Sequence, residues 1–104
     1  MKLSVNKNQL GSLAPEQWLR RAGYGLVATR TGEVSFARRL GSGFYPRFHV
    51  YFQADGEQVV FNLHLDQKQA SYQGVSRHSG EYEGELVEAE ITRLKTYLGE
   101  SLFS

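Results

Sequence analysis

The chain has 104 residues, of which 40% are hydrophobic and 12% aromatic, and these values predict one folded domain over residues 1–104. The formal net charge is only +1, and the absence of cysteine excludes disulfides, thiolate metal sites and cysteine nucleophiles. No apolar run approaches the ~20 residues that span a bilayer, and no signal-peptide pattern opens the chain, so we expect a cytoplasmic protein without a membrane partner.

The first predicted helix begins near residues 12–15, after a polar, extended lead-in over residues 1–12. Pro15 suits the first helical turn, because its missing N–H needs no partner there. Trp18 starts the apolar stripe of this helix, and Gly23 is a typical stop signal.

Residues 25–40 predict a hairpin that turns at Thr31-Gly32. Alternate residues of a strand point to opposite faces of the sheet, so this turn fixes two sets of side chains. One face would hold Val27, Thr29, Val34 and Phe36, and the other Leu26, Ala28 and Ala37.

A second hairpin is predicted over residues 47–66, with Asp55-Gly56 as a strong two-residue turn signal. The apolar face of this hairpin would pair Phe52 with Val59, Val50 with Phe61 and Phe48 with Leu63. The polar face would pair Tyr51 with Val60, His49 with Asn62 and Arg47 with His64, and would continue to Asp66.

A loop of roughly 16 residues is predicted after Asp66, which is long for a compact domain. A last amphipathic helix is predicted from Glu85 to Leu98. The expected fold is therefore α+β, a four-stranded antiparallel meander flanked by an N-terminal and a C-terminal helix.

The polar face of the second hairpin is the predicted site. We expect a binding domain that takes a ligand or partner through this face and the 68–82 loop. Its arginine and lysine side chains would orient an anionic small molecule. The predicted ligand-binding residues are Arg47, His49, Asn62, His64, Asp66, Lys68 and His78.

A divalent metal is the candidate cofactor of this face. Residues two apart on a strand share a face, so His64 and Asp66 can reach one ion, and His78 could fold back as a third ligand. Such a set leaves coordination positions open, which makes a metal-dependent hydrolase the enzymatic alternative. The same residue types are also normal on a solvated sheet face, and the sequence does not decide between the two.

Single-stranded nucleic acid is the other alternative partner, through Arg38, Arg39 and Arg47. Residues 1–50 hold eight basic and two acidic residues, against four and nine in residues 51–104. This asymmetry indicates either an electrostatic surface or attraction between the two halves within the fold. The sequence pI of about 8.0 lies below the strongly basic range of nucleic-acid-binding domains.

The stretch FNLHLDQKQASYQGVSRHSGEYEGELVEAE, residues 61–90, carries the pattern HLDxK…SY…HSGEY before the last helix. In this pattern the chain resembles a group of small bacterial proteins that have no assigned activity. The matching positions are His64, Asp66, Lys68, Ser71, Tyr72, His78, Ser79, Gly80, Glu81 and Tyr82. The resemblance implies that the working region is the end of the fourth predicted strand with the loop after it, and implies no particular reaction.

Overall fold

The computed structural model describes residues 1–28, 34–67 and 76–99, with the backbone alone for Ala28 and residues 76–83. The elements are β1 (Lys2–Asn6), a 3-10 turn (Lys7–Leu10), α1 (Pro15–Arg21), β2 (Gly25–Ala28), β3 (Val34–Arg39), β4 (Arg47–Asp55), β5 (Gln58–Asp66) and α2 (Ser76–Lys95). All described strands belong to one antiparallel sheet with the order β1-β5-β4-β3-β2. The predicted α+β class is confirmed, but the sheet has five strands and not four.

The additional strand is β1, which lies in the segment predicted to be an extended lead-in. Its residues Leu3 and Val5 are buried, and it pairs with β5 from Lys2 opposite Asn62 to Asn6 opposite Gln58. Only two apolar residues alternate in this strand, and its partner is more than fifty residues away in the chain. A pattern this short does not predict a strand unless the partner strand is known.

The β4–β5 hairpin turns one residue later than predicted. Asp55 pairs with Gln58, so Gly56 and Glu57 form the two-residue turn, and Gly56 takes a positive φ of 62°. Every cross-strand partner therefore moves by two positions from the predicted register. A shift of two preserves the faces, because side chains alternate with a period of two.

The predicted faces of the β2–β3 hairpin are wrong. The observed register pairs Leu26 with Phe36, and paired residues lie on one face, whereas the prediction put them on opposite faces. An odd number of residues separates the paired strand ends, and a turn at Thr31-Gly32 would require an even number. That turn and Thr29 lie outside the described residues.

The last helix begins at Ser76, nine residues before the predicted start at Glu85, and ends at Lys95. Gly80 and Gly84 disfavour helix and suggested a loop, but good helix formers beside them, Glu81, Glu83 and Glu85, oppose that effect. The described part of the chain contains no helix long and apolar enough to cross a membrane.

The hydrophobic core lies between one face of the sheet and the two helices. Trp18 of α1 is 1% exposed, and its ring centroid lies 4.9 Å from that of Phe61 on β5. From α2, Val87, Ile91 and Leu94 join the same core. Both described helices pack on the apolar face, so neither of them covers the opposite, polar face of the sheet.

Gly23 follows α1 with a positive φ of 102°, and a Cβ there would lie 3.2 Å from Cδ of Arg38. We expect Gly23→Ala to lower the free energy of unfolding by about 1–2 kcal/mol, because side chains disfavour this conformation. Gly25→Ala is the matched control, since a Cβ at Gly25 meets nothing within 4 Å. Urea denaturation measures both variants, and an equal effect of the two would contradict this expectation.

Candidate metal centre on the polar sheet face

Alternate residues of β3, β4 and β5 form the polar face of the sheet. Two adjacent rows cross it, one of Ala37, His49 and His64, the other of Arg39, Arg47 and Asp66. Neighbouring strands are about 4.8 Å apart, so side chains within a row lie side by side. The observed register thus brings the two histidines together, where the predicted register had paired each with a different residue.

Three side chains converge at the centre of this face. Nδ1 of His49 lies 3.0 Å from Oδ2 of Asp66, and the rings of His49 and His64 meet edge to face with centroids 5.4 Å apart. One ligand atom from each of the three residues lies within 4.8 Å of the others. We call His49, His64 and Asp66 the His–His–Asp cluster.

The buried serine Ser35 supports the cluster from β3. Its Oγ lies 2.7 Å from Nε2 of His49, and His49 itself is only 8% exposed. An ionised carboxylate can only accept hydrogen bonds, so Nδ1 of His49 must donate to Asp66. Nε2 then accepts from the hydroxyl of Ser35, and both nitrogens of the buried ring have partners.

The His49 imidazole favours its neutral form. Burial lowers the pKa of His49 below its ordinary value of 6.5, and the positive charge of Arg47 acts in the same direction. The nearby carboxylate of Asp66 opposes this shift without reversing it. Neutral imidazole is the form that binds metal ions.

Arg47 borders the cluster on β4. Its Nε lies 3.6 Å from Oδ2 of Asp66 and has no hydrogen-bond partner among the described residues. Its guanidinium carbon lies 4.7 Å from the ring centroid of Tyr45. A positive side chain with unused donor capacity therefore stands beside the cluster.

The line from Ser35 through His49 to Asp66 uses the same atoms as the catalytic triad of serine hydrolases. Ser35 is 0% exposed, however, and its strand β3 lies between β2 and β4 in the sheet. A nucleophile must reach the substrate, and this hydroxyl does not. We therefore interpret Ser35 as a residue that orients His49.

The structure brings together four of the predicted ligand-binding residues, Arg47, His49, His64 and Asp66. Asn62 lies on the same face one row away, exposed and opposite Tyr51. Lys68 and the side chain of His78 lie outside the described residues, although the backbone of His78 belongs to α2.

The sequence pattern did not identify Ser35 as part of the site, and it identified His49 as a ligand-binding residue but not as a metal ligand. Ser35 was not selected, although the alternation in Val34-Ser35-Phe36 separates it from the apolar neighbours. His49 was not counted as a metal ligand, because the predicted register placed it opposite Asn62.

No family model matches the chain, and comparisons with curated proteins and with solved structures gave no match. The resemblance of residues 61–90 to small bacterial proteins therefore stays a prediction.

Proposed function

We propose that the protein binds a divalent transition-metal ion, zinc first, through the His–His–Asp cluster. The observation that carries the proposal is the approach of three ligand atoms to within 4.8 Å of one another on two paired strands. Residues on adjacent strands of a sheet are held rigidly, so the ligands need little ordering when the ion binds.

The ligand set defines the class of ion. Two imidazoles and one carboxylate suit zinc, iron or manganese, whereas magnesium and calcium prefer oxygen ligands alone. Zinc–ligand bonds of about 2.0–2.2 Å in a tetrahedral site require neighbouring ligand atoms to lie about 3.3–3.6 Å apart. Rotation of the exposed His64 side chain can draw its nitrogen inward to meet this requirement.

Ser35 supports the proposal because it accommodates both tautomers of His49. With Nδ1 bound to an ion, the proton of the ring must lie on Nε2. The Ser35 Oγ can accept from that N–H, and its own hydroxyl can turn toward the carbonyl oxygen of Val27, 3.5 Å away. Such partners of the ligands orient the ring and raise metal affinity in known sites.

Three protein ligands leave a coordination position open, and the exposure of His64 keeps the cluster accessible to solvent. A bound ion with an open position can activate water or polarise a substrate, which makes metal-dependent hydrolysis the enzymatic form of this proposal. Arg47 would then orient an anionic group of the substrate beside the ion.

Zinc titration of the untagged protein, followed by amide-resolved NMR, tests the proposal with variants of three histidines, His49, His64 and His78. We expect saturable changes at the His–His–Asp cluster, and we expect His64→Ala to weaken zinc binding by about tenfold or more through loss of a ligand. His78→Ala tests the ligand set predicted from sequence, and we expect this variant to bind zinc as the wild type does because His78 is not a member of the His–His–Asp cluster.

Two outcomes would contradict the proposed ligand set. Unchanged zinc affinity in His64→Ala would remove the cluster as a metal site. Loss of affinity in both His64→Ala and His78→Ala, with His49→Gln unaffected, would instead support the set predicted from sequence, His64, Asp66 and His78. Because His64 is exposed, its substitution should leave the fold intact.

A further inference from the structure

A basic cleft opens where β2 and β3 meet the segment between β3 and β4. It has a volume of 520 Å³, within the usual range of ligand sites, and four of its lining residues are arginines. None of the described residues that line it is acidic. Uncompensated positive charge in a concave surface attracts anions.

The four arginines are not equivalent. Arg38 is neutralised by Glu90, to which it donates two hydrogen bonds. Arg47 is shared with Asp66 of the His–His–Asp cluster. Arg20 and Arg39 make no ion pair among the described residues. The cleft therefore keeps unpaired guanidinium groups that can donate to phosphate oxygens.

An exposed aromatic ring lies beside these charges. Phe44 is 69% exposed, and the guanidinium carbon of Arg39 lies 5.2 Å from its ring centroid. Tyr45 and Arg47 repeat the arrangement at 4.7 Å. An aromatic face next to an arginine is how proteins hold a nucleotide, with the base stacked on the ring and the phosphate on the guanidinium.

The cross-strand pair Gly25 and Ala37 forms part of the floor of the cleft and leaves room for a ligand above it. Neither residue has a side chain larger than a methyl group, and a Cβ at Gly25 would meet nothing within 4 Å. The same row of the sheet continues from Ala37 to His49. A small molecule on this floor would thus lie next to the His–His–Asp cluster without contacting the atoms that would bind the metal ion.

We propose that this cleft binds a nucleotide, with its phosphate on Arg39 and Arg47 and its base against Phe44. The nucleotide can be free or part of a single strand, since both present the same phosphate and base. The proposal shares Arg47 with the proposed function but requires no metal ion, and its test is made with EDTA present so that the two proposals succeed or fail separately.

Calorimetric titration of the full chain with adenosine 5′-monophosphate, adenosine and inorganic phosphate tests the proposal. We expect the nucleotide to bind about tenfold or more tightly than either part alone. Phe44→Ala should weaken it by about fivefold or more through loss of stacking. Arg39→Ala should weaken it by about tenfold through loss of a charged contact.

Gly25→Glu should abolish binding, because it places a carboxylate in open space on the floor of the cleft. Arg21→Ala is the control for charge, since it removes one exposed positive charge outside the lining and should change affinity less than twofold. Circular dichroism of each variant confirms the fold.

A short adenylate single strand of about ten nucleotides distinguishes the two sources of the nucleotide. Much tighter, steeply salt-dependent binding would identify a single strand, and affinity equal to that of the mononucleotide would identify the free nucleotide. Absence of saturable binding by both would overturn the proposal. Equal affinity for phosphate and nucleotide, or undiminished binding by Gly25→Glu, would also overturn it.

Discussion

Replacement of Glu90 by glutamine is expected to lower the free energy of unfolding by about 3 kcal/mol, which is a large part of the stability of a domain of this size. Glu90 is 3% exposed and accepts five hydrogen bonds, from Tyr24, Arg38 and Arg93. A glutamine keeps the shape but removes the charge, and it turns an N–H₂ group toward these donors. The two arginines are about 30% exposed and regain some hydration, which keeps the expected loss near the lower end for a broken buried pair.

The same network makes stability depend on pH. Burial alone would raise the pKa of Glu90, but the hydrogen bonds from Arg93, Arg38 and Tyr24 outweigh it and lower the pKa from 4.5 to about 2. A carboxyl group whose pKa is lower in the folded state stabilises the fold at pH values above its pKa in the unfolded state. This stabilisation is lost as the pH falls toward the pKa in the folded state. We therefore expect the wild type to lose stability between about pH 5 and pH 2, by about 3 kcal/mol from this group.

Urea denaturation at several pH values measures both effects. Glu90→Gln should lack this part of the acid dependence, because no carboxyl group remains to be protonated. Glu88→Gln makes the same change at an exposed position of the same helix and should alter stability by less than about 0.5 kcal/mol. An equally small effect of Glu90→Gln would show that the network contributes little.

Glu90 also shows which part of the electrostatics could be predicted. The uneven charge of the two halves indicated either a surface or internal attraction, and the pairing of Arg38 with Glu90 joins one half to the other. The particular pair was not predictable, because it depends on α2 crossing the end of β3. Only the folded topology brings residues 52 positions apart in sequence within 2.9 Å.

The sheet was predictable where local signals were strong. The alternation over residues 47–66 identified both strands of the hairpin and the correct face for every residue, because these depend only on the period of two. The turn residue was wrong by one position, which changed every partner. His49 consequently faces His64 and not Asn62, and the centre of the site shifts with it.

The rest of the site depended on tertiary contacts that sequence does not display. Ser35 reaches His49 only because β3 lies beside β4, and a serine in a strand gives no signal of such a contact. The early start of α2 was hidden by Gly80 and Gly84, since helix propensity is a weak prior that neighbouring residues override. Single-sequence patterns thus identified the face, and topology determined which of its residues meet.

Asp66→Asn should have the largest effect on metal binding, and we expect it to weaken zinc affinity by about 100-fold or more. Asp66 is the one anionic residue of the His–His–Asp cluster, so the substitution removes both a ligand and the charge that neutralises the ion. In the wild type, Nε of Arg47 lies 3.6 Å from Oδ2 of Asp66. The substitution removes this negative partner, so the positive charge of Arg47 would repel the zinc ion. Calorimetric zinc titration gives the affinity of each variant.

Asp55→Asn is the matched control, because Asp55 is an exposed residue at the far end of the same hairpin. This variant should bind zinc with the affinity of the wild type. The unfolding free energy of Asp66→Asn should fall by only about 1 kcal/mol, since the asparagine oxygen can still accept from Nδ1 of His49.

A double variant separates the two causes of the loss. If repulsion from Arg47 contributes, Arg47→Gln added to Asp66→Asn should restore about tenfold of the zinc affinity, whereas loss of the ligand alone would leave it unchanged. Wild-type zinc affinity in Asp66→Asn would instead mean that His49, His64 and Asp66 form a hydrogen-bonded polar cluster without a metal. In that case Ser35 and Asp66 serve only to provide hydrogen-bond partners for the two ring nitrogens of the buried His49.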